Sequence, residues 1–172
     1  TRSGEFYSLR DLIQDIGTDA ARFYYLSKQA DQHLDFDLNL ATSDSKENMF
    51  YYIQYAHARI FSLIKKYKAS NTEIPTSPDS IIDGSYKQCD KLIHEISRYP
   101  SIVKRSSTSL HPHLIIFYLK DLAHIFHSFY NDNPVLTETQ DNLNSIIVCL
   151  GAVKSVIANG LELLGIEPME KM

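Results

Sequence analysis

Twelve consecutive residues, Asn48 to Arg59, read NMFYYIQYAHAR and put four aromatic rings, a histidine and an arginine into two to three turns of any helix they form. Flat rings stack on flat partners, and a guanidinium donates to carbonyls and phosphates. The chemistry on offer is non-covalent recognition of the kind that suits nucleic-acid bases and their phosphates. The same rings could instead pack against a neighbouring helix, which is the usual use of an aromatic stripe. At about 100° per residue, Met49, Ile53, Ala56, Ile60, Leu63, Ile64 and Tyr67 share one arc, the expected buried stripe. Asn48, Tyr52, Tyr55, Arg59, Ser62 and Lys66 share a second, centred about 120° from the first. One face packs; the other is available to a partner.

Other residue sets point to reactions and carry less. Asp121, His124 and His127 recur every third position, with His111 and His113 nearby, and helical i, i+3 pairs do hold metals. Here the third position drifts around the helix and no second ligand cluster accompanies it. A small metal-dependent hydrolase built on His124 and His127 is therefore a minor reading. Asp35 and Asp37 would share a face of an extended segment, yet their alternation with Phe36 and Leu38 describes a solvated strand face better than an acid–base pair. The chain contains no GxSxG, GxGxxG or GxxxxGK[ST], so nothing marks a nucleophile elbow or a phosphate-cradling loop. The expectation is a protein that binds, with no catalytic and no metal-ligating residue.

The formal net charge of −4 over 172 residues argues against a nonspecific polyanion coat. The distribution matters more. Residues 11–47 hold eight acids against Arg22, Lys28 and Lys46, whereas Asn48 to Thr72 holds no acid and carries Arg59, Lys65, Lys66 and Lys68. A second acid-free run, Ile96 to Lys120, carries Arg98, Lys104, Arg105 and Lys120. Two basic stretches on an acidic chain point to a local anionic contact, with solvated helix faces as the alternative. Cys89 and Cys149 lie in apolar contexts without CxxC or metal-ligand spacing. With no signal peptide and no apolar run of membrane-spanning length, the sequence reads as a cytoplasmic protein. Its start without Met suggests a fragment or a processed product.

The elements that must carry these residues are helices. Ser8 caps a short helix with Asp11 at its third position, and Gly17 stops it. Thr18 caps a second, running to Ala30, and His33 to Leu40 alternates polar and apolar as a strand does. Ser43 or Asp44 caps the aromatic helix, which runs to about Tyr67. Residues 69–80 are Ser, Thr, Asn and Pro rich and form a loop. A helix from Tyr86 to Tyr99 is closed by Pro100, and one or two turns come next over Ile102 to Ser109. Pro112 starts a strong helix, His113 to Tyr130, and Thr137 with Gln140 opens the last one, to Gly165. The fold class is an all-α helical bundle with a short mixed segment in front.

YYIQYAHARI, preceded by DAARFYYL and HLDFDLNLA, closely resembles the carboxy-terminal region of arginyl-tRNA synthetases, class I enzymes. RYPSIV, HPHLIIFYLKDLAHIFHSFYN and NGLELLGIEPMEKM resemble its later helices in the right order. The opening, TRSGEFYSLRDLIQDIG, resembles the stretch downstream of the first half of a KMSK-type loop, with Thr1 where a Lys is usual. The resemblance implies an α-helical anticodon-binding domain at 47–172, and at 1–46 the end of a catalytic domain with its stem-contact segment. It implies arginine tRNA and a missing catalytic domain as partners, a monomer, and no cofactor in this stretch, ATP and magnesium being used by the parent enzyme, whose HIGH motif is absent here. It also implies that Tyr52, Tyr55 and Arg59 face the anticodon loop, with Tyr130 and Met172 nearby and Gln54 and His57 shaping the same helix. Lys65, Lys66 and Lys68 would add attraction to the RNA backbone. A helical protein-interaction module using the same aromatic face is the competing reading.

Overall fold

The computed structural model describes residues 8–29, 31–33, 35–70, 87–133 and 140–172. All regular structure among them is helical: α1 (Leu9–Ile16), α2 (Thr18–Leu26), α3 (Leu38–Ala41), α4 (Met49–Ala69), a 3-10 turn (Lys87–Cys89), α5 (Asp90–Ser97), α6 (Tyr99–Ser109), α7 (His113–Asp132) and α8 (Gln140–Leu163). The three long helices α4, α7 and α8 pack on one another; α5 and α6 lie against α7, and α2 packs on α4 and α7.

Periodicity explains the core. Ile53, Ala56 and Ile60 of α4, Ile116, Leu119, Leu122 and Phe126 of α7, and Ile146, Leu150, Val153, Ile157 and Leu161 of α8 join one buried cluster with Phe23 of α2. Each such Val, Leu, Ile or Phe side chain contributes about 1.5–3 kcal/mol on burial. Helices α7 and α8 approach closely at Gly160, where an added Cβ would stand 2.8 Å from Leu119 Cδ2. The stretch Leu143–Leu163 is 21 residues long and apolar enough to cross a membrane. The expectation of no such run is thus corrected, although this stretch lies in α8, whose inner face fills the core.

Helix ends are set by side-chain chemistry. The Ser8 hydroxyl accepts the Asp11 N–H at 3.2 Å while Asp11 reaches back to the Ser8 N–H at 3.3 Å, the capping box expected. Gly17, at φ 82°, ends α1 and also leads into α2, so Thr18 is the first helical residue rather than a cap. The aromatic helix is capped by Asn48 and not by Ser43 or Asp44. Asn48 Oδ1 accepts from the Tyr51 N–H at 3.1 Å and from the Tyr24 hydroxyl at 2.8 Å. Its Nδ2 donates to the carbonyls of Ala41 at 3.1 Å and Ser43 at 2.8 Å. Asn48 is buried, so it belongs to the frame of the aromatic helix and not to the exposed face where the helical wheel put it.

The strand-like alternation at His33 to Leu40 does not produce a strand at its described positions. Asp37 accepts the Leu40 N–H at 3.1 Å and starts the single turn α3, and Phe36 turns in against Tyr24, ring centroids 5.2 Å apart. Asp35 is exposed, 3.4 Å from His33. Pro100 opens α6 instead of closing the helix before it, because a missing N–H costs nothing in a first turn. Thr137 and most of the loop expected at 69–80 lie outside the described residues.

Candidate nucleic-acid interface

On α4 the residues from Tyr51 to Lys66 fan around the helix. Taking Tyr55 as origin at about 100° per residue, Tyr51 and Ser62 fall within about 40° on one side, and Lys66, Arg59 and Tyr52 within about 60° on the other. The structure turns this strip toward α7. The Arg59 guanidinium lies 3.8 Å from the ring centre of Tyr130 and donates to the Tyr55 hydroxyl at 2.8 Å. A cation laid flat on one ring and bonded to the rim of another is held in one orientation. One of its five N–H donors is engaged there, which leaves the remainder of the fork available.

Rings continue the strip in both directions. Tyr51 and Tyr55 are near-parallel, with centroids 5.8 Å apart and planes at 9°, and Tyr55 and His127 likewise at 5.6 Å and 18°. Tyr52 sits 4.5 Å from the His127 ring, with its hydroxyl 3.5 Å from His124 Nδ1. His127 donates its Nε2–H to the Tyr52 carbonyl at 3.3 Å, which leaves Nδ1 as the acceptor of the neutral ring. Burial holds the pKa of His127 below the usual histidine value, and the Arg59 and His124 charges add to that against the carbonyl bond, which raises it. Burial likewise pushes the Tyr52 phenol up. Near neutral pH Arg59 therefore carries its positive charge between an uncharged His127 and an uncharged Tyr52. Tyr51, Tyr52, Tyr55, Arg59, His127 and Tyr130 are all half-buried, one side packed and one side open.

The expected site residues thus divide. Tyr52, Tyr55, Arg59 and Tyr130 come together. Lys65, Lys66 and Lys68 are exposed on the last turns of α4, about 9–14 Å along the axis from Arg59 at 1.5 Å per residue. Of the three, Lys66 shares the Tyr55 face; Lys65 and Lys68 point well away from it. Met172 is exposed at the end of the segment after α8. In the second acid-free run, Arg98 is engaged by both oxygens of Glu95, at 2.9 and 3.0 Å, so that run is less basic than it reads.

Reading along the sequence missed Tyr51, His124 and His127 as members of the strip. Tyr51 was detectable, being four residues before Tyr55. The histidines depend on how α7 is rotated, which no local signal fixes. Gln54 and His57 prove to lie on another face of α4, where they bond the backbone after α8: Gln54 to the Glu167 carbonyl and the Met169 N–H, His57 to the Met169 carbonyl. Beside Tyr52, an open groove of about 460 Å³ is lined by Lys46, Glu47, Met49, Lys120, Asp121 and His124. Among the described residues no three His, Cys, Asp or Glu side chains gather as a metal site.

The family model for the DALR anticodon binding domain matches residues 53–172 of this chain. Curated arginine–tRNA ligases of Coxiella burnetii and Nitrosospira multiformis are 43% and 42% identical over the whole chain, which spans 30% and 29% of their length. Among solved structures, an arginyl-tRNA synthetase chain from Campylobacter jejuni superposes with a TM-score of 0.85 at 32% identity, over 98% of this chain and 36% of that one. The Thermus thermophilus arginyl-tRNA synthetase shares the fold, with a TM-score of 0.75 at 23% identity over 99% of this chain and 29% of that one.

Proposed function

The chain belongs to the DALR anticodon-binding domain family, and from that premise we propose that it binds the anticodon loop of arginine tRNA through the Tyr51–Arg59 strip of α4, completed by Tyr130 and Met172. One observation carries the reading. Arg59 lies on Tyr130 at 3.8 Å and bonds Tyr55 at 2.8 Å, so a cation and two rings are already oriented on a helix face without a single acid from Asn48 to Thr72.

The mechanism is selection by stacking and donation. Tyr52 and Tyr55 take unstacked anticodon bases, each contributing about 1–3 kcal/mol. Arg59 donates its unused N–H groups to a base edge or a phosphate in one plane, and loses little ordering entropy because its neighbours hold it. Lys66, and more distantly Lys65 and Lys68, add salt-sensitive attraction. Residues 47–172 act as the RNA-binding unit and 1–46 as the stem-contact connection to a catalytic part. Arginine activation with ATP and magnesium, and its ligation to tRNA, are assigned to the portion of the relatives that this chain does not match, and no step of that chemistry to residues described here. The protein works in the cytoplasm as a monomer.

Titration of a labelled arginine-tRNA transcript, and of the same transcript with its anticodon replaced, tests the proposal. Wild type should prefer the first. Tyr55→Ala and Arg59→Ala should each weaken that binding about 5- to 100-fold. Unchanged affinity and unchanged discrimination in both variants would overturn the site.

A further inference from the structure

Beyond Leu163 the chain forms no regular helix or strand, yet Ile166 is 1% exposed. Four side chains from two helices grip its backbone. Arg22 of α2 donates to the Gly165 carbonyl, and Asp19 of α2 accepts the Glu167 N–H at 2.9 Å. From α4, Gln54 donates Nε2–H to the Glu167 carbonyl and accepts the Met169 N–H on Oε1, both at 2.8 Å. His57 donates Nδ1–H to the Met169 carbonyl at 2.7 Å. Gln54 is 0% exposed and His57 3%. An amide and an imidazole buried to that degree are tolerable because their polar atoms find partners. Leucine in either place would hold the segment against α4 without fixing where along α4 it sits, whereas directional bonds fix both.

The bonds also give its course. Glu167 meets Gln54, and Met169 meets both Gln54 and His57, so the segment runs parallel to α4, toward the half that ends at Ala69. On the helical wheel, Gln54 and His57 lie about 100° and 160° from Tyr55, on the side opposite the one that faces α7. Tyr130 and His127 therefore border the aromatic strip on one side of α4 and this segment runs along the other side, with Met169 38% and Met172 53% exposed. Thioethers are polarizable and sit well against aromatic faces.

We propose that Gln54 and His57 are positioning residues that hold the 164–172 segment as the second wall of the RNA site, so that its methionines pack on the bases that the tyrosines stack. This rests on the reading of the strip as an anticodon-loop site. It adds that discrimination between anticodons depends on a clamp whose members do not touch the RNA.

The test uses the whole chain, the arginine-tRNA transcript and its anticodon-replaced counterpart. Gln54→Leu removes both bonds to the segment while keeping an apolar side chain in their place, and Asp19→Ala loosens the same segment without altering α4. In both, amide exchange at Met169 should quicken at least about fivefold, the factor carried by one lost hydrogen bond. The affinity ratio between the two transcripts should fall about three- to tenfold at a melting temperature that Asp19→Ala leaves near wild type. Faster exchange with an unchanged ratio overturns the clamp while leaving the strip intact, as Tyr55→Ala, run alongside, would show by losing affinity. Should Tyr55→Ala bind both transcripts as wild type does, the strip reading fails, and the clamp proposal with it. Should Gln54→Leu not fold, Asp19→Ala alone decides between these outcomes.

Discussion

Replacing Arg59 by lysine keeps the charge and removes the plane, which makes it the sharpest probe of the strip. The guanidinium–Tyr130 contact at 3.8 Å is worth about 0.5–1 kcal/mol for a half-exposed pair. The bond to the Tyr55 hydroxyl at 2.8 Å adds a similar amount after solvent competition. Lysine can recover part of each, so the net loss of stability should be about 1 kcal/mol, a fall of about 2–4 °C in melting temperature for a domain of this size. Binding should suffer more, because an ammonium cannot present several coplanar donors. We expect about 5- to 30-fold weaker affinity for the arginine-tRNA transcript. Salt titration separates shape from charge. The slope of log affinity against log salt should match wild type in Arg59→Lys, and should drop by about 0.7 in Arg59→Ala if the contact is to a phosphate of an unpaired loop. Wild-type affinity for Arg59→Lys would refute the argument, since it would make Arg59 a point charge and its placement on Tyr130 irrelevant.

Four further outcomes can be measured on the same preparation. Binding through an apolar protein-docking face would hardly respond to salt, so RNA affinity that is flat from low to high salt, or absent while a protein ligand binds, would favour the competing module. Burial lowers the pKa of both His57 and His127; the unfolded chain then takes up more protons below about pH 6.5, so stability should be full above that pH and fall as it is lowered, less steeply in His127→Gln. Gly160→Ala, with its Cβ 2.8 Å from Leu119, should lose about 1–3 kcal/mol, whereas Gly151→Ala, with nothing within 4 Å, should gain up to about 1 kcal/mol; equal effects in urea melts would contradict the close approach of α7 and α8. Leu110 holds φ 57° at the end of α6 and is 84% exposed, so Leu110→Asn should raise the melting temperature by about 2–4 °C through relief of left-handed strain.

The long helices and the split of α4 into a packed face and an aromatic face were legible in spacing, because both depend on local periodicity alone. Asn48 was misread because its acceptors and donors come from Tyr24, Ala41 and Ser43, which only tertiary folding assembles. The same holds for Gln54 and His57, whose partners lie more than a hundred residues away. The alternation of His33 to Leu40 misled for a different reason: two-residue periodicity over one short stretch does not outweigh an aspartate able to cap a turn. Pro100 was ambiguous in principle, since proline both ends helices and begins them.

The way α2 is attached has a mechanical consequence. Near its end, Tyr24 is bonded to Asn48 at the start of α4; Asp19 near its beginning and Arg22 at its middle hold the segment after α8, which α4 holds in turn. A short helix fixed at two points cannot roll or slide against α4 without breaking bonds at one of them. Any tilt that a ligand imposes on the aromatic face of α4 should therefore be passed to α2 through these side-chain bonds.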